Sequence, residues 1–337
     1  MRAVQVDEYG APEVLRPVEL PDPVAGPGQA VVDVAAANVM FLEVQIRKGW
    51  GKEFFQVSPP YVPGSGVTGR VASVGEGVDP ALVGTEVVVD TGERDPETGR
   101  AESPTGGYAE KAVAAAEELI PVPDGLEARQ ALALLHDGPT ALLLERAARF
   151  EPGQRVLVLA ATGGAGSLVV QLARRAGAHV VAAARGAEKL ALARELGAEH
   201  TVDYSEAGWQ DRVREITGGK GVDTVVDGAG GELGASAYPL VADGGRFVSY
   251  GASSGEFAEV DTDDAERRGI TATGLLDLQD GKGDAEYSRA LTEQALELAA
   301  SGAFRPHIGR TFPLERAADA HAALEARTVL GKVLLIP

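Results

Sequence analysis

The run Ala160-Ala161-Thr162-Gly163-Gly164-Ala165-Gly166 is suited to holding a pyrophosphate. Glycines let the backbone turn tightly and come close to a phosphate. A helix that starts at such a turn offers unbonded N–H groups and a partial positive charge. Both flanks fit this role. Arg155-Val156-Leu157-Val158-Leu159 reads as a buried strand before the run, and 167–176 as an amphipathic helix after it, stopped by Gly177. Ala161, Gly163, Gly164 and Ala165 are the predicted contacts to a dinucleotide. The end of the second strand in such a unit selects the ribose: an acid binds a free 2′-hydroxyl, a base a 2′-phosphate. Here the strand 179–184 ends without an acid, and Arg185 and Lys189 follow. A guanidinium fork and an ammonium both suit a phosphate. The dipole at a helix start disfavours Lys, so a ligand explains Lys189 better than solvent does. The expected cofactor is NADPH (NADP) rather than NADH.

The elements around these residues fall into three stretches. The first third is β-rich, with short strands at 4–6, 30–35, 69–74 and 86–90 bounded by Gly, Pro or Asp, and a polar, exposed loop over 90–107. From Leu126 the style changes. Helices at 128–135 and 140–148 precede strands at 156–159, 179–184, 201–202, 222–226, 246–249 and 270–275. These strands alternate with helices near 167–176, 188–196, 208–217 and 233–241. Such alternation predicts an α/β fold with a doubly wound parallel sheet, and Gly177, Gly197, Gly218 and Gly244 fall where helices should stop. The tail holds helices at 287–300 and 314–325 and a strand at 331–336. It is too short for a domain of its own and should return to the first third. The expected organisation is a β-rich domain, 1–125 and 277–337, split around an inserted dinucleotide-binding domain, 126–276.

Composition narrows the function. The chain has 337 residues, 45% of them hydrophobic, enough for a sizeable core in one large or two moderate domains. Lys and Arg number 31 against 50 Asp and Glu, a formal charge of −19. That excludes nucleic acid and anionic membrane surfaces as partners, which demand a basic footprint, and leaves a small-molecule substrate. An anionic cofactor must then be held by local positive groups against the overall field. There is no cysteine, so disulfides, Cys-ligated zinc and a Cys nucleophile are excluded. The first residues lack an apolar signal core, and the apolar stretch 156–184 is interrupted by glycines and Arg174-Arg175. A cytoplasmic enzyme is expected.

The 160–166 turn resembles the Ala-x-x-Gly-Gly-Val/Ala-Gly turn of zinc-independent quinone oxidoreductases, a family of the medium-chain dehydrogenase/reductase superfamily. Pro63-Gly64-Ser65-Gly66-Val67-Thr68-Gly69, Gly106-Gly107-Tyr108-Ala109-Glu110, Gly138-Pro139-Thr140-Ala141, Leu196-Gly197-Ala198, Asp203-Tyr204, Ser249-Tyr250-Gly251 and Gly331-Lys332-Val333-Leu334 agree. The resemblance covers essentially the whole chain. It implies a GroES-like β-rich catalytic domain split around a Rossmann domain, an active site between them, and a homodimer joined through the edge strand 270–275. It also implies roles for individual residues. Asn38 would lie near the nicotinamide, and Thr140 would help hold its carboxamide. Tyr204 would pack beside the adenosine ribose and 2′-phosphate. Tyr250, Gly251 and Ser253 would form a loop near the nicotinamide mononucleotide half, and Lys332 a late position near the cofactor. Zinc-dependent relatives place a Cys and a Gly-His-Glu where this chain has Asn38 and Gly64-Ser65-Gly66, and the five histidines lack metal-ligand spacing. No zinc is expected.

Without a metal, hydrogen-bond donors must stabilise the charge that hydride transfer places on the acceptor, or the acceptor must already be activated. Quinones and conjugated enones fit. In many quinone reductases a Tyr follows the cleft Asn. Here that segment is about two residues longer, and the Tyr position reads as Gln45, a hydrogen-bond donor but a poor proton source. Glu43 and Gln45 would not share a face on a regular helix. In an irregular loop both could reach the substrate, with solvent exposure the alternative for Glu43. Asn38, Gln45 and Glu43 are the candidate catalytic residues. Trp50 and Tyr61 are candidates to stack a planar substrate or to form a plain apolar wall. His136 is either a proton relay or a histidine favoured by a helix C-terminus, and the second reading is preferred. Three functions remain open: reduction of a quinone or other conjugated carbonyl, reduction of a C=C bond in an enoyl or alkenal compound, and an NADPH-binding sensor or scaffold with little catalysis.

Overall fold

A computed structural model describes residues 1–52, 55–94, 101–253, 255–279 and 285–337. Contacts divide the chain into two units, Met1–His136 with Gly281–Pro337, and Asp137–Asp280.

The first unit opens with an antiparallel pair, β1 (Arg2–Val6) and β2 (Leu15–Glu19). β3 (Gln29–Val39) leads into α1 (Phe41–Arg47), followed by β4 (Gly66–Val74) and β5 (Glu86–Asp90). A short hairpin, β6 (Glu93–Arg94) with β7 (Ala101–Ser103), lies where an exposed loop was expected, and 95–100 of that loop fall outside the described residues. β8 (Lys111–Ala115), β9 (Ile120–Pro121) and α2 (Ala128–Leu134) follow. α2 packs on β3, β4 and β5 and buries Ala131, Leu132 and Leu134. The division therefore falls after His136, eleven residues beyond the 125/126 boundary read from sequence.

The second unit begins with α3 (Asp137–Ala148). Then come β10 (Arg155–Leu159), α4 (Gly164–Arg175), β11 (His179–Ala184), α5 (Ala187–Glu195), β12 (His200–Asp203), α6 (Trp209–Ile216), β13 (Val222–Asp227), α7 (Gly231–Ala237), β14 (Val241–Ser249), α8 (Thr262–Arg268), β15 (Thr271–Thr273) and α9 (Leu275–Gln279). The sheet order is β12-β11-β10-β13-β14-β15, all parallel. This is the doubly wound dinucleotide-binding order, with its switch point between β10 and β13. The central strands carry long apolar runs because helices cover both faces, and Val156, Leu157, Val158 and Leu159 are fully buried. Two expectations need correction. Gly244 lies inside β14 rather than at a helix end, since a short 3-10 turn, Tyr238–Leu240, runs directly into that strand. The edge strand pairs only over Thr271–Thr273, because α9 starts at Leu275.

The chain then returns to the first unit with α10 (Ala285–Ala300), β16 (Ile308–Pro313), α11 (Ala317–Glu325) and β17 (Lys332–Ile336). β17 pairs antiparallel with β3, Val333 opposite Val39 and Leu335 opposite Ala37. The sheet order is β16-β17-β3-β4-β5-β9, with β8 also on β3. Its core gathers Val4, Val32, Val67, Val87, Tyr108 and Leu335. No helix among the described residues is long and apolar enough to cross a membrane.

Candidate active site

In the second unit the glycine-rich run joins β10 to α4. Gly163 is the extended N-cap of α4 and supplies no side-chain cap to its first-turn N–H groups. Ala161 and Ala165 turn their methyls into the core. A Cβ on Gly166 would stand 2.5 Å from the Ala160 carbonyl oxygen, and one on Gly164 would stand 1.9 Å from Asp137 Oδ2. The backbone closes Gly166 to a side chain, and at Gly164 the Asp137 carboxylate takes the space. Asp137 opens α3, and its carboxylate lies against the first turn of α4, where the helix dipole favours it; nothing local in the sequence announced that contact.

Arg185 is exposed at the tip of β11, and Lys189 is half-buried in the first turn of α5. Between them the Gly186 N–H donates to Asp203 Oδ2 at 2.8 Å, from the end of β12. Ser205 donates to Asp203 Oδ1 from its N–H at 2.9 Å and its hydroxyl at 2.5 Å. Burial pushes the Asp203 carboxyl up, but the Ser205 and Gly186 hydrogen bonds and the Arg185 charge outweigh it and hold the group below its usual range. The nearest acid is thus occupied in fixing the turn that carries Arg185. Tyr204 follows directly, half-buried, its N–H toward the Ala184 carbonyl at 3.4 Å.

Across the switch point, Asp227 ends β13 and organises the next loop. Its Oδ1 accepts from the N–H groups of Ala229 (2.9 Å) and Gly230 (3.0 Å), and its Oδ2 accepts from the Ser249 hydroxyl (3.1 Å). Burial nevertheless raises its carboxyl above the usual range. Sequence reading stopped the strand at 226 and missed Asp227, although an acid closing an apolar strand before Gly228 is a turn signal. The 228–230 and 250–253 loops pack tightly. A Cβ on Gly251 would stand 2.5 Å from the Gly228 carbonyl oxygen, and one on Gly228 would stand 2.5 Å from the Tyr250 hydroxyl. Ser253 donates to the Ala229 carbonyl at 3.2 Å. Tyr250 is pushed up by burial, then by the charges of Asp137 and Asp227. Thr140 sits half-buried on α3.

In the first unit, Asn38 is fully buried near the end of β3. Its Nδ2 lies 3.3 Å from His136 Nδ1, and His136 Nε2 lies 3.4 Å from Asp90 Oδ2. Asp90 Oδ1 accepts from the Gly92 N–H at 3.1 Å.

α1 is a regular helix, so Glu43 and Gln45 lie on different faces. Glu43 is neither solvent-exposed nor poised in a loop, and both alternatives are corrected. It is 2% exposed and accepts the Met40 N–H (2.9 Å), the Tyr108 hydroxyl (2.8 Å) and the Ser65 N–H (2.9 Å) and hydroxyl (3.2 Å). Its carboxylate is consumed in capping α1 and fixing the Gly64–Gly66 turn. Gln45 is half-buried. Trp50 is 53% exposed, its ring 6.4 Å from that of Phe55. Tyr61 bridges Val6 through backbone bonds, and burial raises its hydroxyl. Lys332 is buried at the start of β17, its N–H donating to the His307 carbonyl at 2.8 Å.

The Glu43 network continues inward. Tyr108 donates its one hydroxyl proton to Glu43, so His321 Nε2, 2.9 Å away, must donate to the Tyr108 oxygen. Burial, reinforced by the Arg47 charge, pushes His321 down to about 3 from the usual 6.5. The unfolded chain therefore binds a proton that the folded chain refuses between these values. The resulting stability is fully present above pH 6.5 and is lost as pH falls toward 3, by up to about 1.4 kcal/mol per pH unit. Urea unfolding between pH 7 and 4 should show a shallower loss of stability in a His321→Asn variant. Equal slopes would remove His321 from the acid response.

A β-rich unit split around a parallel sheet in dinucleotide-binding order is the architecture of a medium-chain dehydrogenase/reductase. Residues 26–124 match the alcohol dehydrogenase GroES-like domain, and 164–296 match the zinc-binding dehydrogenase family. The chain is 30% identical to a rat quinone oxidoreductase, covering 100% of this chain and 98% of that protein. It is 31% identical to a 2-haloacrylate reductase from a Burkholderia species, covering 99% and 98%. The structure of mycobacterial Rv1454c complexed with NADPH is 33% identical over 100% of both chains, with a TM-score of 0.85. The chain belongs to the quinone oxidoreductase-like family of this superfamily and is an oxidoreductase.

Proposed function

We propose that the protein uses NADPH to reduce quinones or other conjugated carbonyl compounds, without zinc. The observation that carries this is the end of β11, where Arg185 stands exposed and the nearby Asp203 has both oxygens engaged. A 2′-phosphate finds a cation there, and a 2′-hydroxyl finds no free carboxylate. The extended Gly163 cap, which brings no side chain to the start of α4, suits a pyrophosphate there, and NADPH, when bound, supplies the hydride. The chain's own residues do the rest. The α4 amides, Arg185 and Lys189 bind the phosphates. The 228–230 and 250–253 loops, locked together by Asp227 and Ser253, shape the nicotinamide side with Thr140. The Asn38 amide donates a hydrogen bond to the oxygen that becomes negative, and Trp50 and Tyr61 supply apolar wall.

The residues do not fit a catalytic zinc, which takes three protein ligands of Cys, His or carboxylate type. Asn38 and Ser65 stand at the matching positions, Ser65 donates both its polar hydrogens to Glu43, and His136 beside them meets Asp90. Among the described residues no group of three or more such ligands is gathered. Two copies joining through the exposed β15 edge would form a homodimer.

The relative that reduces 2-haloacrylate favours C=C reduction as a second reading. NADPH consumption should be followed with quinones, enones, enoyl thioesters and 2-haloacrylates, before and after exhaustive chelation. Quinone turnover that survives chelation is expected. Loss on chelation would overturn the zinc-free mechanism. Turnover of only the acrylates or thioesters would favour the second reading, and tight NADPH binding with no turnover a sensor or scaffold.

A further inference from the structure

Three adjacent strands place Asn38, Gly66 and Asp90 in one row. Gly66 pairs with Asp90 across β4 and β5, and Asn38 lies one step beyond the Ala37–Val67 pair of β3 and β4. The middle position must be bare, because a Cβ on Gly66 would stand 2.9 Å from His136 Cε1. The His136 ring lies over that gap and spans from Asp90 to Asn38.

The chemistry of this row is directional. Asp90, tied down by the Gly92 N–H, can only accept at His136 Nε2, so neutral His136 carries its proton there and leaves a lone pair on Nδ1. That lone pair can only accept, so the Asn38 amide must turn its NH2 toward it. The Asn38 carbonyl oxygen then points the other way, buried and without a hydrogen-bond partner among the described residues. We propose that Asp90 and His136 are positioning residues that set the sense of the Asn38 amide and that protonation of His136 inverts it. A protonated ring carries N–H at both nitrogens, so Nδ1 demands the Asn38 oxygen and the amide must turn over. Among the described residues His136 is faced by Asp90 from β5, Asn38 from β3 and the charge of Glu43 from α1, and Asp137 is its chain neighbour. The catalytic consequence rests on the functional reading above, in which the second N–H of the Asn38 NH2, the one not given to His136, meets the acceptor oxygen.

Two readouts test this on the full chain. In 15N-histidine NMR at alkaline pH, His136 should show Nε2 protonated and Nδ1 bare, and Asp90→Asn should mix the tautomers. A wild-type ring protonated at Nδ1 alone would overturn the proposal, whatever the substrate. In kinetics, kcat/KM should fall on the acid side through one ionisation that His136→Gln abolishes, because Gln can bridge both partners without titrating. His136→Phe should lose about tenfold in kcat/KM, as expected for one misplaced neutral hydrogen bond, with NADPH affinity unchanged and activity partly restored in the Gln variant. An acid limb that persists in His136→Gln would also overturn it. Failure of every acceptor to turn over would refute the functional reading and leave the tautomer result standing.

Discussion

An Arg185→Ala/Lys189→Ala double variant should lose about two orders of magnitude in NADPH affinity, taking about 1.5 kcal/mol for each lost charge-assisted contact. NADH affinity should stay within about twofold of the parent, since neither cation meets a 2′-hydroxyl. The overall charge of −19 sharpens the prediction: with the surrounding field repelling an anion, those local cations carry the phosphate. Fluorescence titration of both nucleotides at two salt concentrations provides the check. The NADPH penalty should shrink at higher salt, because exposed cations are screened. Unchanged NADPH affinity in the double variant would refute the cofactor assignment.

Glu43→Ala should destabilise the first unit by about 3–5 kcal/mol, taking about 1 kcal/mol for each buried donor that loses its acceptor. The Met40 and Ser65 N–H groups and the Ser65 and Tyr108 hydroxyls would all lose their acceptor. Glu43→Gln should cost less, as one oxygen remains, but its amide NH2 would face donors. Urea unfolding at pH 7 measures both. A loss below about 1 kcal/mol for the alanine variant would show that water replaces the carboxylate and that the network is not structural.

These two variants mark where sequence reading reached and where it stopped. The nucleotide half was legible because its signals are local: apolar strands, glycine punctuation and the 160–166 turn occupy consecutive residues. The pair behind the proposed 2′-phosphate contact, Arg185 and Lys189, is likewise local. What stayed hidden depends on pairing across the sheet. α2 carries an apolar face that suits either unit, and only its packing on β3, β4 and β5 assigns it. Glu43 is one of many acids until Ser65 and Tyr108 converge on it. His136 was read as a helix-end residue, which its place just after α2 satisfies. Its bridge between Asn38 and Asp90 requires a strand register that no periodicity reveals. Asp203 and Asp227 each end a parallel strand, a turn signal in sequence, but the Gly186 N–H and the Ser249 hydroxyl that they accept from lie at the ends of neighbouring strands, which only the sheet brings to them.

The pairing of β17 with β3 has a consequence for how the polypeptide is made. On the ribosome, the parallel sheet has all six of its strands once residue 273 has emerged, and it can close without waiting. Its host cannot. β3 emerges early and finds β4 and β8, but its flank beside Val39 stays bare until residues 332–336 arrive. For that interval the nascent chain displays an unpaired edge of valine and alanine, the kind of edge that recruits other strands. The split order of this protein leaves that edge open from the emergence of β8, complete at residue 115, to that of β17, which begins at residue 332.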